Sequence, residues 1–154
     1  MNPYALFVIA GLCAATASAC GSTDMMNDAQ SSMHEALTSA EAENDRHLSA
    51  CQQADSMWAM VAELDLHDAN MAPVMERMDR ALGGMAHCSG DFQALSVSET
   101  QMRTALSDHA RQIRSSETPA AARKVCSEHA SLMTDMMDGM MTGVAGMSCM
   151  GMHR

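Results

Sequence analysis

This sequence predicts an all-α chain, folded as an antiparallel four-helix bundle with an elongated first helix and a flexible methionine-rich C-terminal tail. Three observations lead there. No stretch alternates apolar and polar residues in the period of a half-buried strand. Over long segments the apolar side chains recur instead at alternating spacings of three and four, the period of a bundle-forming helix. The periodic segments are separated by short breaks rich in Ser, Asn, Gly and Pro, so successive helices run antiparallel.

The first helix starts near Ser32, where Ser32-x-x-Glu35 fits a capping box. Its inward positions are Met33, Leu37, Ala40, Asn44, His47, Cys51, Ala54, Trp58 and Val61, and it ends near His67 to Asn70. Asn70 is a good N-cap for the second helix, with Pro73 tolerated in the first turn. That helix carries the stripe Met71, Met75, Met78, Leu82, Met85 and Cys88. Gly83-Gly84 weakens its interior, and Ser89-Gly90-Asp91 ends it. A second capping box, Ser96-x-x-Glu99, opens the third helix, whose stripe is Met102, Leu106, His109 and Ile113. Thr118 and Pro119 suit the N-cap and first position of the fourth helix. Its stripe is Ala122, Cys126, His129, Met133, Met136 and Met140, and Gly139, Gly143 and Gly146 fray it into the tail. The expected organisation is an export signal at 1–19, a tether at 20–30, the bundle at 31–142 and the tail at 143–154.

With 154 residues, one domain is expected. The formal net charge is -10, from 19 acidic against 9 basic residues, which disfavours nucleic acid and anionic lipid surfaces as partners and suits cations. An apolar share of 47% is enough for a core. Methionine outnumbers Leu, Ile and Val combined, so it is the main core-forming side chain although it specifies packing poorly.

Residues Tyr4 to Ala19 carry no charge, and Ala17-Ser18-Ala19 has the small residues of a cleavage site. The run Thr16-Ala17-Ser18-Ala19-Cys20-Gly21-Ser22 resembles a bacterial lipobox, with Ala17 where Leu is usual. The resemblance implies lipidation of Cys20 and, with Gly21 after the cysteine, anchoring to the outer membrane from the periplasm. The alternative is plain secretion with cleavage before Cys20, giving a secreted or soluble periplasmic chain. Export places the chain in an oxidising compartment. Cys51, Cys88, Cys126 and Cys149 then allow two disulfides in three pairings. Cys51–Cys88 would join the first two helices, leaving Cys126 and Cys149 to pair or to stay reduced.

Six ligand-type side chains fall on inward stripes: His47 and Cys51, Cys88, His109, and Cys126 and His129. Cysteine, histidine and methionine are donors that soft and borderline ions prefer. With the first turn placed near residue 69, Cys88 comes level with Cys51. Two mixed layers are then expected, one of His47, Cys51 and Cys88, and one of His109 and Cys126. His34 and His67 read as ordinary histidines, His67 suiting a helix C-terminus.

The tail adds donors. Met137 and Met141 lie off the stripe of the fourth helix, and Met147, Cys149, Met150, Met152 and His153 follow its glycines. Solvated methionine gains no packing and risks oxidation, so soft-metal capture explains it better. The segment from Met133 to His153, with its Met137-Asp138-Gly139-Met140 run, resembles the Met-rich, Gly-spaced segments of bacterial periplasmic copper-resistance proteins. That resemblance implies Cu(I) or Ag(I) binding.

Enzyme readings lack their parts: there is no Cys-x-x-Cys, no His-Glu-x-x-His and no pair of Glu-x-x-His motifs. The sequence therefore predicts a non-catalytic, exported, lipid-anchored bundle that binds or buffers Cu(I)-type ions. The alternative is a structural or partner-binding lipoprotein with disulfide-stapled helices and an adaptable methionine core.

Overall fold

The computed structural model describes residues 18–86 and 92–147, with side chains from residue 27 onward. It is an all-α four-helix bundle: α1 (Ser18–Gln53), α2 (Met57–Met85), α3 (Phe92–Ser115) and α4 (Pro119–Gly146). Each helix packs on the next, and α4 closes the ring against α1. At 36 residues α1 is the longest. Among the described residues no helix is long and apolar enough to cross a membrane.

The first turn is not where the sequence pattern put it. The chain reverses at Ala54–Ser56, and α2 starts at Met57 rather than after Asn70. Ser56 is the N-cap, accepting the Ala59 N–H at 3.2 Å, and satisfies one of the orphan donors of the new helix. Arg123 of α4 donates to the Ala54 carbonyl at 2.7 Å and fixes the turn against the bundle. Period alone could not show this break, because Met60 and Leu64 resume the stripe directly after it. Trp58, read as an inward position, is 82% exposed. Pro73 consequently lies inside α2, and Asn70 donates its side-chain amide to Glu43 at 3.0 Å instead of capping a helix.

Three further boundaries move outward. The backbone of residues 20–30, expected as a tether, is helical from Ser18 onward. After Gly21 this stretch contains no helix breaker, Ala29 is buried, and Gln30 donates to the Met147 carbonyl at 3.0 Å. At the other end α4 runs past Gly139 and Gly143 to Gly146. Similarly, α3 starts at Phe92, so Ser96 is no cap. Glu99 sits buried and salt-bridged to Arg103, which also reaches Asp79 on α2 at 2.5 Å. The N-cap at Thr118 is as expected, accepting from Ala121 N at 3.2 Å.

The core falls into two apolar parts. The larger lies among the first half of α1, the second half of α2, the start of α3 and the end of α4, and half of its buried residues are methionine. The smaller lies near the two turns and contains Cys51, Ala54, Met60, Leu64, Ala110, Ile113, Ala122 and Cys126. Between them lies a buried polar layer, described below.

The larger core accounts for methionines expected to be off-stripe. Met137 is 3% exposed, Met147 is 7% exposed, and Met141 packs against the same cluster. Unbranched thioether side chains fill the irregular space where four helices converge.

Gly84 has a packing role. A Cβ there would stand 2.8 Å from the Ala29 Cβ, so α1 and α2 approach more closely than two alanines allow, whereas Gly83 meets nothing within 4 Å. Gly83→Ala should raise unfolding free energy by about 0.5–1 kcal/mol through helix propensity. Gly84→Ala should fall at least about 1 kcal/mol below Gly83→Ala, because overpacking outweighs that gain. Urea unfolding of the pair measures the difference.

Candidate metal centre

The layer between the two cores holds one histidine from each helix: His47 of α1, His67 of α2, His109 of α3 and His129 of α4. Their exposures are 0%, 0%, 2% and 5%. The positions follow from the turns. His47 and His67 lie ten positions either side of Met57, the first residue of α2, and His109 and His129 lie ten either side of Pro119, the first residue of α4. Antiparallel partners equidistant from a tight turn sit at the same height. Both hairpins therefore deliver a histidine pair to one level.

Within each hairpin the rings stack. His47 and His67 have centroids 4.0 Å apart at 20°, and His109 and His129 are 4.0 Å apart at 11°. The two stacks meet edge to face, with His47 and His109 at 5.2 Å and 88°, and His67 and His129 at 5.7 Å and 84°.

Two carboxylates back the first stack in crossed fashion. Glu63 of α2 lies 3.0 Å from Nδ1 of His47 on α1, and Glu43 of α1 lies 3.0 Å from Nδ1 of His67 on α2. Arg46 bridges both carboxylates from the solvent side, at 2.7 Å to each. Burial opposes ionisation of Glu43, but hydrogen bonds from Arg46, His67 and Asn70 outweigh it and hold its pKa below the ordinary carboxylate value. For Glu63 burial is likewise outweighed, by hydrogen bonds from Arg46 and His47.

Burial lowers the pKa of all four imidazoles, to about 3 for His109 and about 2 for His129, where neighbouring histidines add to the effect. The layer is therefore neutral imidazole beside ionised carboxylate, and this fixes tautomers. A carboxylate only accepts, so His47 and His67 donate through Nδ1–H and their Nε2 atoms are bare. His47 Nε2 then accepts from His109 Nε2–H at 3.0 Å, which leaves His109 Nδ1 bare. Among the described residues His67 Nε2, His109 Nδ1 and His129 Nε2 are buried without a hydrogen-bond partner. Each such atom costs about 1–3 kcal/mol if unmet.

The two sulfurs lie on the turn side of this layer. Cys51 and Cys126 form a disulfide between α1 and α4, with Cα atoms 6.5 Å apart. The pairing Cys51–Cys88 is thereby corrected: α2 runs back along α1 from residue 57, and its end, at Gly84, packs on Ala29 at the far end of α1 from Cys51. His47 Nε2 is 3.4 Å from Cys51 Sγ, and donor atoms of His47, Cys51 and Cys126 all lie within 4.8 Å of one another.

The expected candidates thus divide. His47, Cys51, Cys126, His109 and His129 converge on one region rather than on two layers. Met137, Met141 and Met147 are core packing remote from it. Cys20, Cys88, Cys149, Met150, Met152 and His153 fall outside the residues whose side chains are described. Sequence reasoning missed His67, Glu43 and Glu63. A signal was there: Glu43-x-x-x-His47 and Glu63-x-x-x-His67 repeat one motif, and the His47–His67 spacing equals that of His109–His129.

No protein-family model, no curated protein and no solved structure matches this chain. Fold and site together define a four-helix bundle with a buried histidine-rich layer and a His/Cys/Cys group able to hold a metal ion.

Two outcomes follow for the layer itself. Each imidazole has a folded pKa below its unfolded value, so the unfolded chain binds more protons once pH drops below about 6.5. Stability from the layer is complete above that pH and is lost as pH falls toward the folded values. The urea midpoint should decline as pH falls from about 6.5 toward the folded value of about 3 at His109. The double variant His109→Gln/His129→Gln should flatten that decline. Separately, the disulfide spans a sequence separation of 75. Reducing it should lower unfolding free energy by about 2–4 kcal/mol, with helicity by circular dichroism retained at low denaturant.

Proposed function

We propose that this protein is an exported, lipid-anchored helical bundle that binds and buffers soft metal ions of the Cu(I) or Ag(I) type, without catalysis. The observation that carries the reading is the convergence of donor atoms of His47, Cys51 and Cys126, all three buried, within 4.8 Å of one another. Thiolate and imidazole are the donors such ions prefer. With metal–sulfur and metal–nitrogen bonds of about 2.3 and 2.0 Å, donors around one ion stand roughly 3.3–3.8 Å apart, so small side-chain shifts bring these three into place. Glu63 behind His47 fixes the ring and raises its basicity, as carboxylates do behind metal-bound histidines.

The site works only with the thiols reduced, since joining Cys51 to Cys126 removes both thiolate ligands. Capture would be assisted by Cys149, Met150, Met152 and His153, on the strength of the sequence resemblance alone. Met137, Met141 and Met147 drop out of the ligand set because the core employs them. The uncharged stretch before Cys20 and its lipobox-like surroundings support placement on the periplasmic face of the outer membrane.

A second reading has its own observation. The Cys51–Cys126 bond favours a structural or partner-binding lipoprotein stapled between α1 and α4.

Titration of the reduced, signal-free chain with Cu(I) against a competing chelator tests the first reading. One tight equivalent is expected, with Cys51→Ser and Cys126→Ser each lowering affinity by about 100-fold or more. Removing residues 148–154 should leave that equivalent in place. Equal affinity in wild type and both serine variants would sink the reading, and full oxidation of the thiols in protein taken from its native compartment would favour the stapled alternative.

A further inference from the structure

We propose that the four-imidazole layer of His47, His67, His109 and His129 is a second metal site, one that takes a divalent imidazole-preferring cation of the Zn2+ or Co2+ kind while Cys51 and Cys126 are joined. The proposal goes beyond the thiol site: it shares only His47 with it, takes its other donors from His67, His109 and His129, and belongs to a state in which that site is closed.

Three features point to a ligand. First, His67 Nε2, His109 Nδ1 and His129 Nε2 are buried lone-pair or donor positions with no partner among the described residues, clustered in rings whose centroids lie 4.0–6.2 Å apart. An apolar layer of leucines would fill the same space without that cost. Second, Glu63 and Glu43 accept from Nδ1 of His47 and His67, at 3.0 Å each. This turns the bare Nε2 of both rings away from the carboxylates as the metal-facing donor, and holds negative charge one ring away from a bound dication. Third, the layer has access from outside. A cavity of about 210 Å3 opens between α3 and α4, lined by His109 and His129 together with Asp108, Gln112 and Glu128. Its acidic rim draws cations, and its floor is imidazole.

Imidazole suits Zn2+, Cu2+ and Ni2+, and once the disulfide is made no thiolate remains among the residues whose side chains are described to favour a softer ion. Binding requires the His47–His109 contact of 3.0 Å to open. The ring torsion of histidine is broad and permits this without moving the helices. His109 then ligates through Nδ1, the nitrogen already bare.

The test uses the full signal-free chain with Cys51–Cys126 intact, verified by mapping the bond, so its result is independent of the thiol site. Calorimetry with Zn2+ should give one saturable equivalent, and Co2+ at the same site should show the intense visible bands of low-coordinate nitrogen ligation. His67→Gln and His129→Gln should each weaken Zn2+ by at least about 10-fold, and Glu43→Gln by about 10-fold with the Co2+ bands shifted but retained. His153→Gln should change nothing. Because a variant can misfold, wild-type ring resonances are followed as well: Zn2+ should move those of His47, His67, His109 and His129 and spare His34. Absence of saturable Zn2+ binding, binding indifferent to both His67→Gln and His129→Gln, or ring shifts confined to other histidines would each overturn the proposal. The first of these would leave the layer as a hydrated structural element.

Discussion

Four imidazoles and two ionised carboxylates are held at one level of a bundle whose core is otherwise mainly methionine, alanine and leucine, and the rest of the architecture answers to that. Buried polar groups must be paired, and a half-satisfied network is worse than an apolar core. Here the bonds that are made run between helices, and His67 Nε2, His109 Nδ1 and His129 Nε2 are left without a partner among the described residues. Glu43 on α1 serves His67 on α2, Glu63 on α2 serves His47 on α1, and His109 reaches across the bundle to His47. Asn44 adds a bond to the Ala130 carbonyl at 3.1 Å, tying α1 to α4 at the same height. Slipping α1 by one turn would break all of these bonds at once, and slipping any other helix would break at least one. The layer therefore fixes register in a core whose main side chain, methionine, is too adaptable to fix it.

Turn position is the second constraint. The histidines of each hairpin are equidistant from the first residue of the returning helix, and each returning helix has an oxygen-bearing N-cap, Ser56 or Thr118, with nearly identical backbone geometry. One residue added to either turn would rotate the following helix by about 100° relative to its partner and carry a histidine off the layer. The caps thus do more than satisfy N–H groups: they set where the ligand-type side chains meet. Cys51 and Cys126 lie between the turns and the layer, so the same geometry brings the sulfurs beside His47.

Neutral histidine is a consequence of this burial and the source of the chemistry. Protonating any of the four places charge in a buried region, and the carboxylates bonded to its rings, Glu43 and Glu63, are already engaged by Arg46. The imidazoles stay neutral, and neutral imidazole is the ligating form. Charge, tautomer and ligand capacity are one argument here.

The all-α class, the four-helix count, the antiparallel order and the inward faces of His47, Cys51, His109, Cys126 and His129 were legible from local pattern, because period and capping chemistry are properties of neighbouring residues. The first turn was not, since the stripe runs through Ala54–Ser56 almost unbroken, and the misplaced turn put Cys88 beside Cys51 and left His67 at a helix end. Met137 takes the inward place between Met133 and Met140 that the pattern gave to Met136, and the inward face of Met147 depended on how far α4 extends, which Gln30 and the larger core decide from another helix. By itself the sequence determined which side chains face inward over most of the bundle. Only the tertiary structure decided which of them meet, because heights depend on where each hairpin turns, and a shift of a few residues there moves every pairing along two helices.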